Sequence, residues 1–228
     1  MPSSLRFVAL PLVAVAAGLS AAAPAAAHPH VFANSTVQIV VGKDGRMVSL
    51  HNSWWMDELF SSSVVVDFDK NGNGTLDKDE LAAIGKQVGS SIAEWSYYTF
   101  VTQNGAKVAL TAPPTLDVIF DAKKGQLRFA FDMKPAQPLE LKGKTTTVTN
   151  FDDTYFVAFD FTGGDKAFSV KGLPKGCKTS TAAPTPDEAA KSWMDTISAL
   201  GTSDTVPEDG IKFSEVLSTK FSIDCSKA

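Results

Sequence analysis

The twelve residues "DKNGNGTLDKDE", Asp69 to Glu80, carry the strongest chemical signal in the chain. Oxygen-bearing side chains stand at alternate positions. Asp69, Asn71 and Asn73 are first, third and fifth, Asp77 is ninth and Glu80 twelfth, with Gly74 sixth and the Thr75 carbonyl seventh. A hard cation of calcium's size takes six to eight oxygens, and only a loop wound tightly at a glycine aims that many inward. The spacing therefore predicts a Ca2+ site built from Asp69, Asn71, Asn73, Thr75, Asp77 and Glu80. A turn that merely capped the next helix would need neither the alternate oxygens nor Glu80. Two asparagines lower the ligand charge, which predicts weak affinity, and the loop has no second hand to pair with, which predicts a fixed structural ion rather than a switch.

Nitrogen ligands are scarce by comparison, since the chain has three histidines, and two of them share the stretch "AAAHPHVFA". Residues 1–27 hold one cation at Arg6, an apolar run from Phe7 to about Gly18, and small residues at Ala25 and Ala27. That pattern reads as a secretory signal peptide cut after Ala27. Cleavage leaves His28 at the new N-terminus, followed by Pro29 and His30, so an α-amine and two imidazoles come within three residues. Such nitrogen-rich sets suit zinc (Zn2+), nickel (Ni2+), cobalt (Co2+) or copper. Pro29 has no backbone N–H to deprotonate, which blocks the square-planar chelate of a third-position histidine and leaves a side-chain site. His51 and Asp57 are the candidates to complete it. The competing reading is a pair of frayed terminal histidines with His51 on a sheet surface.

The elements that must hold these residues follow from periodicity. Val31 to Trp55 alternates around "GKDG" and predicts a β-hairpin, with Val37, Ile39 and Val41 on one face and His30, Asn34, Thr36 and Gln38 on the other. In either turn register His51 shares the polar face but pairs near Thr36 or Gln38, about 20 Å or more from His30 along the strand. Asp57 or its neighbours fall opposite His30 instead. Residues 56–96 switch to helical spacing: Phe60, Val64 and Phe68 form a short stripe before the loop, and Leu81, Ile84, Val88, Ile92 and Trp95 a longer one after it. Short strands follow in "YYTFVTQ", "KVALT", "TLDVIFD", "QLRFAFDM", "TTTVTNF", "TYFVAFDF" and "AFSVKG", with loops at "APPT" and 135–144. A capped helix closes the pattern at "TPDEAAKSWMDTISAL". The expected fold is α+β: mostly antiparallel β, sandwich-like, with an EF-hand-like helix–loop–helix inserted at about 56–96 and a C-terminal helix. Residues 28–228 form the one mature domain.

Composition narrows the function. Removing Arg6 with the leader leaves 20 Lys+Arg against 25 Asp+Glu, and no basic stripe for nucleic acid or anionic lipid is present. After the leader, nothing approaches the roughly 20 apolar residues of a membrane span. Cys177 and Cys225 are an even count in an exported chain, which predicts a disulfide in a periplasm. Closing that loop of about 50 residues is worth up to roughly 4 kcal/mol in the chain-entropy picture. No G-x-S-x-G, H-E-x-x-H or phosphate-loop spacing occurs, so no enzyme is expected.

"HPHVF" at the mature N-terminus, "HNSWWMDELFS", the single calcium-type loop, "FDDTYFVAFDF", and "GC" with a late cysteine together resemble the bacterial domain-of-unknown-function 1007 family. The resemblance spans essentially the whole mature chain. It implies a periplasmic component of transition-metal transport, paired with an inner-membrane nickel/cobalt-type permease, with zinc or nickel/cobalt held by His28 and His30 and with His51 in the histidine-before-tryptophan segment. Asp153 departs from it, standing where proline is expected before "TYFVAF". The alternatives are a calcium-stabilised binding or structural module in which the histidines are incidental, and a copper enzyme built on the N-terminal amine.

Overall fold

The structure, a computed structural model, describes residues 29–185, 187, 188, 191, 194 and 213–228. The expected signal peptide and His28 lie outside the described residues. So does most of the segment 185–200 expected as a helix, although Asp187, Glu188, Lys191 and Met194 are helical. Thr185 and Glu188 form the reciprocal cap of its start: the Glu188 N–H donates to Thr185 Oγ1 at 3.2 Å, and the Thr185 N–H donates to Glu188 Oε2 at 2.8 Å. The Thr185 N–H bond first, and then the Thr185 Oγ1 bond to the same Oε2 at 2.9 Å, hold the Glu188 carboxyl below its ordinary range.

Alternation sets the first two strands. Along β1 (Val31–Val41) the odd residues are buried and the even ones face outward. β2 (Arg46–Met56) returns antiparallel through the expected turn, closed by the Gly45 N–H on Gly42 O at 3.0 Å. Gly45, at φ +78°, occupies a left-handed position that a side chain would strain. His51 pairs with Gln38, one of the two anticipated registers. Helices α1 (Glu58–Phe68) and α2 (Lys78–Ser91) follow on either side of the loop. The expected stripe ran on to Trp95, but α2 ends at Ser91. After a tight turn at 92–95 the chain passes through Ser96, Tyr97 and Tyr98, all with φ between 48° and 54°. Three consecutive left-handed residues reverse the chain into the next strand and leave Trp95 outside the helix.

The remaining strands are β3 (Thr99–Gln103), β4 (Ala106–Lys107), β5 (Leu110–Thr111), β6 (Asp117–Asp121), β7 (Gln126–Pro135), β8 (Leu139–Glu140), β9 (Thr145–Asn150), β10 (Val157–Asp160), β11 (Phe168–Lys171), β12 (Lys178–Ala182) and β13 (Lys220–Asp224), with α3 (Phe213–Leu217) before the last. They form two sheets. The first runs β10–β1–β2–β7–β5, with β11 also on β1, β6 on β7 and β8 on β2; the second runs β12–β13–β9–β3–β4. Nearly all pairings are antiparallel, but β10 and β11 join β1 in parallel, so the first sheet is mixed. Part of 135–144, read as a loop, forms β8. The strands β12 and β13 had no sequence expectation, and the Cys177–Cys225 disulfide ties the residues beside them.

The inward faces meet in one core containing Ile39, Leu50, Phe129 and Phe131 of the first sheet and Val101, Val148, Phe221 and Ile223 of the second. A polar seam crosses it. Ser35 Oγ donates to Asn150 Oδ1 at 3.1 Å, and Asn150 Nδ2 donates to Thr99 Oγ1 at 3.0 Å and to Asn52 Oδ1 at 3.2 Å. Bonds of this kind fix one register between sheets that apolar packing alone would let slide, and they leave Asn52 Nδ2 buried without a partner among the described residues. The helices pack at the β6–β7 side of the first sheet. Gly85 of α2 comes so close to Leu116 that a Cβ there would lie 2.4 Å from its carbonyl oxygen. Buried Ser61 of α1 donates to Asp57 O at 2.7 Å and accepts the Leu127 N–H at 3.0 Å, fastening α1 to β7.

Candidate metal centres

The loop between α1 and α2 is wound around Gly74, whose φ of +77° supplies the sharp turn expected at the sixth position. Asp69 Oδ2 accepts the Gly74 N–H at 2.7 Å, and its Oδ1 accepts the Asn73 N–H at 3.2 Å. Asn73 Oδ1 accepts the Thr75 N–H at 2.9 Å, while Asn71 Nδ2 donates to Asp77 Oδ2 at 3.1 Å. Glu80 is buried and reaches back across the loop. Its two oxygens accept the Lys70 N–H at 2.8 Å and the Asp77 N–H at 3.0 Å. Leu76, also buried, plugs the loop into the core.

Tested against calcium, the donor set fits: every side chain named at the ligand positions offers oxygen, as a hard cation requires. In this geometry the oxygens serve the loop's own N–H groups. Among the described residues no three His, Cys, Asp or Glu side chains converge as a ligand group.

The expected nitrogen ligands are dispersed. His30 is exposed at the foot of β1. Its N–H donates to Phe156 O at 3.0 Å and its ring lies 5.1 Å from that of Phe156, on the β10 side. Asp57 lies on the other side of β1, where Oδ1 accepts the Phe60 N–H and caps α1, and Oδ2 accepts the Phe32 N–H, each at 2.8 Å. His51, opposite Gln38, is eight residues from His30, roughly 26 Å along the strand. The two described histidines therefore share the outer face of the first sheet without meeting.

Asp132 is the neighbour that sequence reasoning missed. Its Oδ1 lies 2.8 Å from His51 Nδ1, directly across the β2–β7 ladder. A carboxylate on Nδ1 fixes the ring and presents Nε2 outward, the usual way a ligating imidazole is oriented. The alternation in "QLRFAFDM" puts Asp132 on the polar face, but only the strand register reveals its partner.

One further titratable group is strongly perturbed. Tyr98, in the left-handed turn, has its phenol pushed up to about 12 by burial first and then by the Asp152 and Glu94 carboxylates. Asp152 is itself buried. It organises "FDDTYFVAFDF" by accepting from the Thr154 N–H at 2.9 Å and the Val157 N–H at 3.0 Å.

Fold and sites together define a β-rich protein of two sheets, with a helix–loop–helix insert and a disulfide beside its last strand. Residues 13–225 match the family described as "Protein of unknown function (DUF1007)", and the chain belongs to that family. It is also similar to a protein of Haemophilus influenzae (strain ATCC 51907 / DSM 11121 / KW20 / Rd) called "Uncharacterized protein". The two are 25% identical over 172 residues, which is 75% of this chain and 80% of the relative. No helix among the described residues is long and apolar enough to cross a membrane.

Proposed function

We propose that this is a periplasmic metal-binding protein of a transition-metal transport system, with calcium in the 69–80 loop as a structural ion. The observation that carries the metal reading is the winding of that loop: oxygen donors at alternate positions around Gly74, with Leu76 buried behind them and Glu80 folded back across. Calcium there ties the end of α1 to the start of α2. The transition metal, zinc or nickel/cobalt, is held by His28 and His30 with the α-amine freed by leader removal, and is exchanged with an inner-membrane permease. Supporting this are the "HPH" spacing, the exposed His30 ring at the foot of β1, and the family resemblance.

The test is metal analysis by mass spectrometry on protein beginning at His28, beside a form with extra residues before it. Transition metal in the first form only, lost in His28→Ala/His30→Ala, is the expected result. Equal zinc and nickel binding in wild type and double variant would overturn the transport role. A second reading, a calcium-stabilised module without a transition-metal role, is favoured by the distance between His30 and His51. Calcium alone in both forms would establish it.

A further inference from the structure

Two cations converge on one indole ring on the outer face of the first sheet. Lys124 Nζ lies 4.8 Å and Arg128 Cζ 5.8 Å from the centroid of Trp55. The placement follows from the backbone. Trp55 and Arg128 are directly paired across β2 and β7, and the β6–β7 turn, which passes through Gly125 at φ +63°, brings Lys124 back over the same ring. Asp121 shapes that turn by accepting the Lys123 N–H at 3.0 Å and the Lys124 N–H at 3.3 Å, so its carboxylate is directed at backbone.

The ring holds both charges, yet neither cation forms an ion pair with a described carboxylate. Asp160 shares the row through Asn34 and Trp55, but it is three strands from Arg128, roughly 14 Å. Arg128 is pinned as well: its Nε is sealed from solvent without an acceptor. A buried donor without an acceptor is destabilising. A like-charged pair held together in a net-acidic protein, with no described carboxylate paired to it, is an arrangement that an anion completes. Lys123, exposed in the same turn, adds a third positive charge at the rim.

We propose that Lys124 and Arg128, braced on Trp55, form an oxyanion-binding site that takes a phosphate or carboxylate group. Guanidinium and ammonium together offer the forked and point donors such groups accept. The site is independent of the metal reading. It lies on the same face as both described histidines, four residues along the strand from each end, because Asn34, midway between His30 and Gln38, pairs with Trp55.

The probes are inorganic phosphate and, separately, phosphatidylglycerol vesicles with phosphatidylcholine vesicles as the control. The readout is the Trp55 indole N–H resonance, assigned by Trp55→Phe, together with vesicle co-sedimentation. A saturable shift with phosphate identifies a free oxyanion as ligand; binding to phosphatidylglycerol vesicles alone identifies a lipid headgroup. In either case Lys124→Gln and Arg128→Gln should each weaken binding at least tenfold. Lys124 is exposed, so its variant folds and serves as the deciding one. Binding unchanged in Lys124→Gln, or no response to either probe, overturns the proposal.

Discussion

Asp57 grips Phe32 twice: its carboxylate accepts the Phe32 N–H at 2.8 Å, and its own N–H donates to the Phe32 carbonyl at 2.9 Å. The same carboxylate caps α1 through the Phe60 N–H, so one side chain joins the foot of β1 to the first turn of the helix that leads to the calcium loop. Asp57→Ala removes a cap and an acceptor and should cost about 2 kcal/mol. Urea unfolding checks this, and a midpoint within error of wild type would show that the two bonds carry no stability.

Calcium should raise the unfolding free energy by about 1.4 kcal/mol at about 1 mM free ion for a dissociation constant of about 0.1 mM. Glu80→Gln keeps one acceptor for the loop's own hydrogen bonds, sets an amide NH2 against the other backbone N–H, and loses the bidentate anion. The calcium increment should vanish in that variant, and the metal-free protein should be about 1–3 kcal/mol less stable for the lost acceptor. An increment that survives in Glu80→Gln would remove Glu80 from the ligand set.

Gly85→Ala reverses an ordinary expectation. In an exposed helix interior the change gains about 1 kcal/mol. Here the new Cβ would stand 2.4 Å from the Leu116 carbonyl oxygen, and α2 must move off the β6 side of the sheet. A loss of about 1–3 kcal/mol is expected. Thermal melts of the variant decide the sign.

Tyr98 makes stability fall at high pH. Its folded-state phenol titrates near 12 while an unfolded tyrosine titrates near 10. The unfolded chain therefore binds fewer protons between these values, and stability that is intact below pH 10 is lost as pH rises toward 12. Because the side chain is only half-buried, solvent screening keeps the effect modest. Tyr98→Phe should flatten the difference in melting temperature between pH 9.5 and 11.5. An equal decline in both proteins would assign it to other groups.

Local pattern carried the fold where side chains alternate strictly. The β1–β2 hairpin, its turn and the placing of His51 opposite Thr36 or Gln38 follow from period and parity, because one face of that sheet is buried throughout; the structure selects Gln38. The disulfide followed from cysteine count. Asp57 or a neighbour was expected opposite His30; Asp57 binds Phe32, two residues on, and caps α1 through the Phe60 N–H. Patterns fail where partners are distant in sequence. "KTSTA" has little apolar character of its own and is a strand through its pairing with β13, while "KFSID" alternates only Phe221 and Ile223 and is held by β9. Asp132 meets His51 only after a long-range pairing sets β2 beside β7. The convergence of Lys124 and Arg128 on Trp55 is hidden for the same reason.

The strands earliest and latest in the described chain are both interior members of their sheets. β1 lies between β2 and the parallel pair β10 and β11, and β13 lies between β12 and β9. Neither sheet can close around partially delivered chain, since β1 waits for neighbours more than 120 residues downstream and β9 waits for β13 more than 70 residues later. Contacts of such long range make folding slow and late. A chain passing lengthwise through a narrow channel can thus complete neither sheet until its late strands have crossed, although the β1–β2–β7 pairings need nothing beyond Pro135.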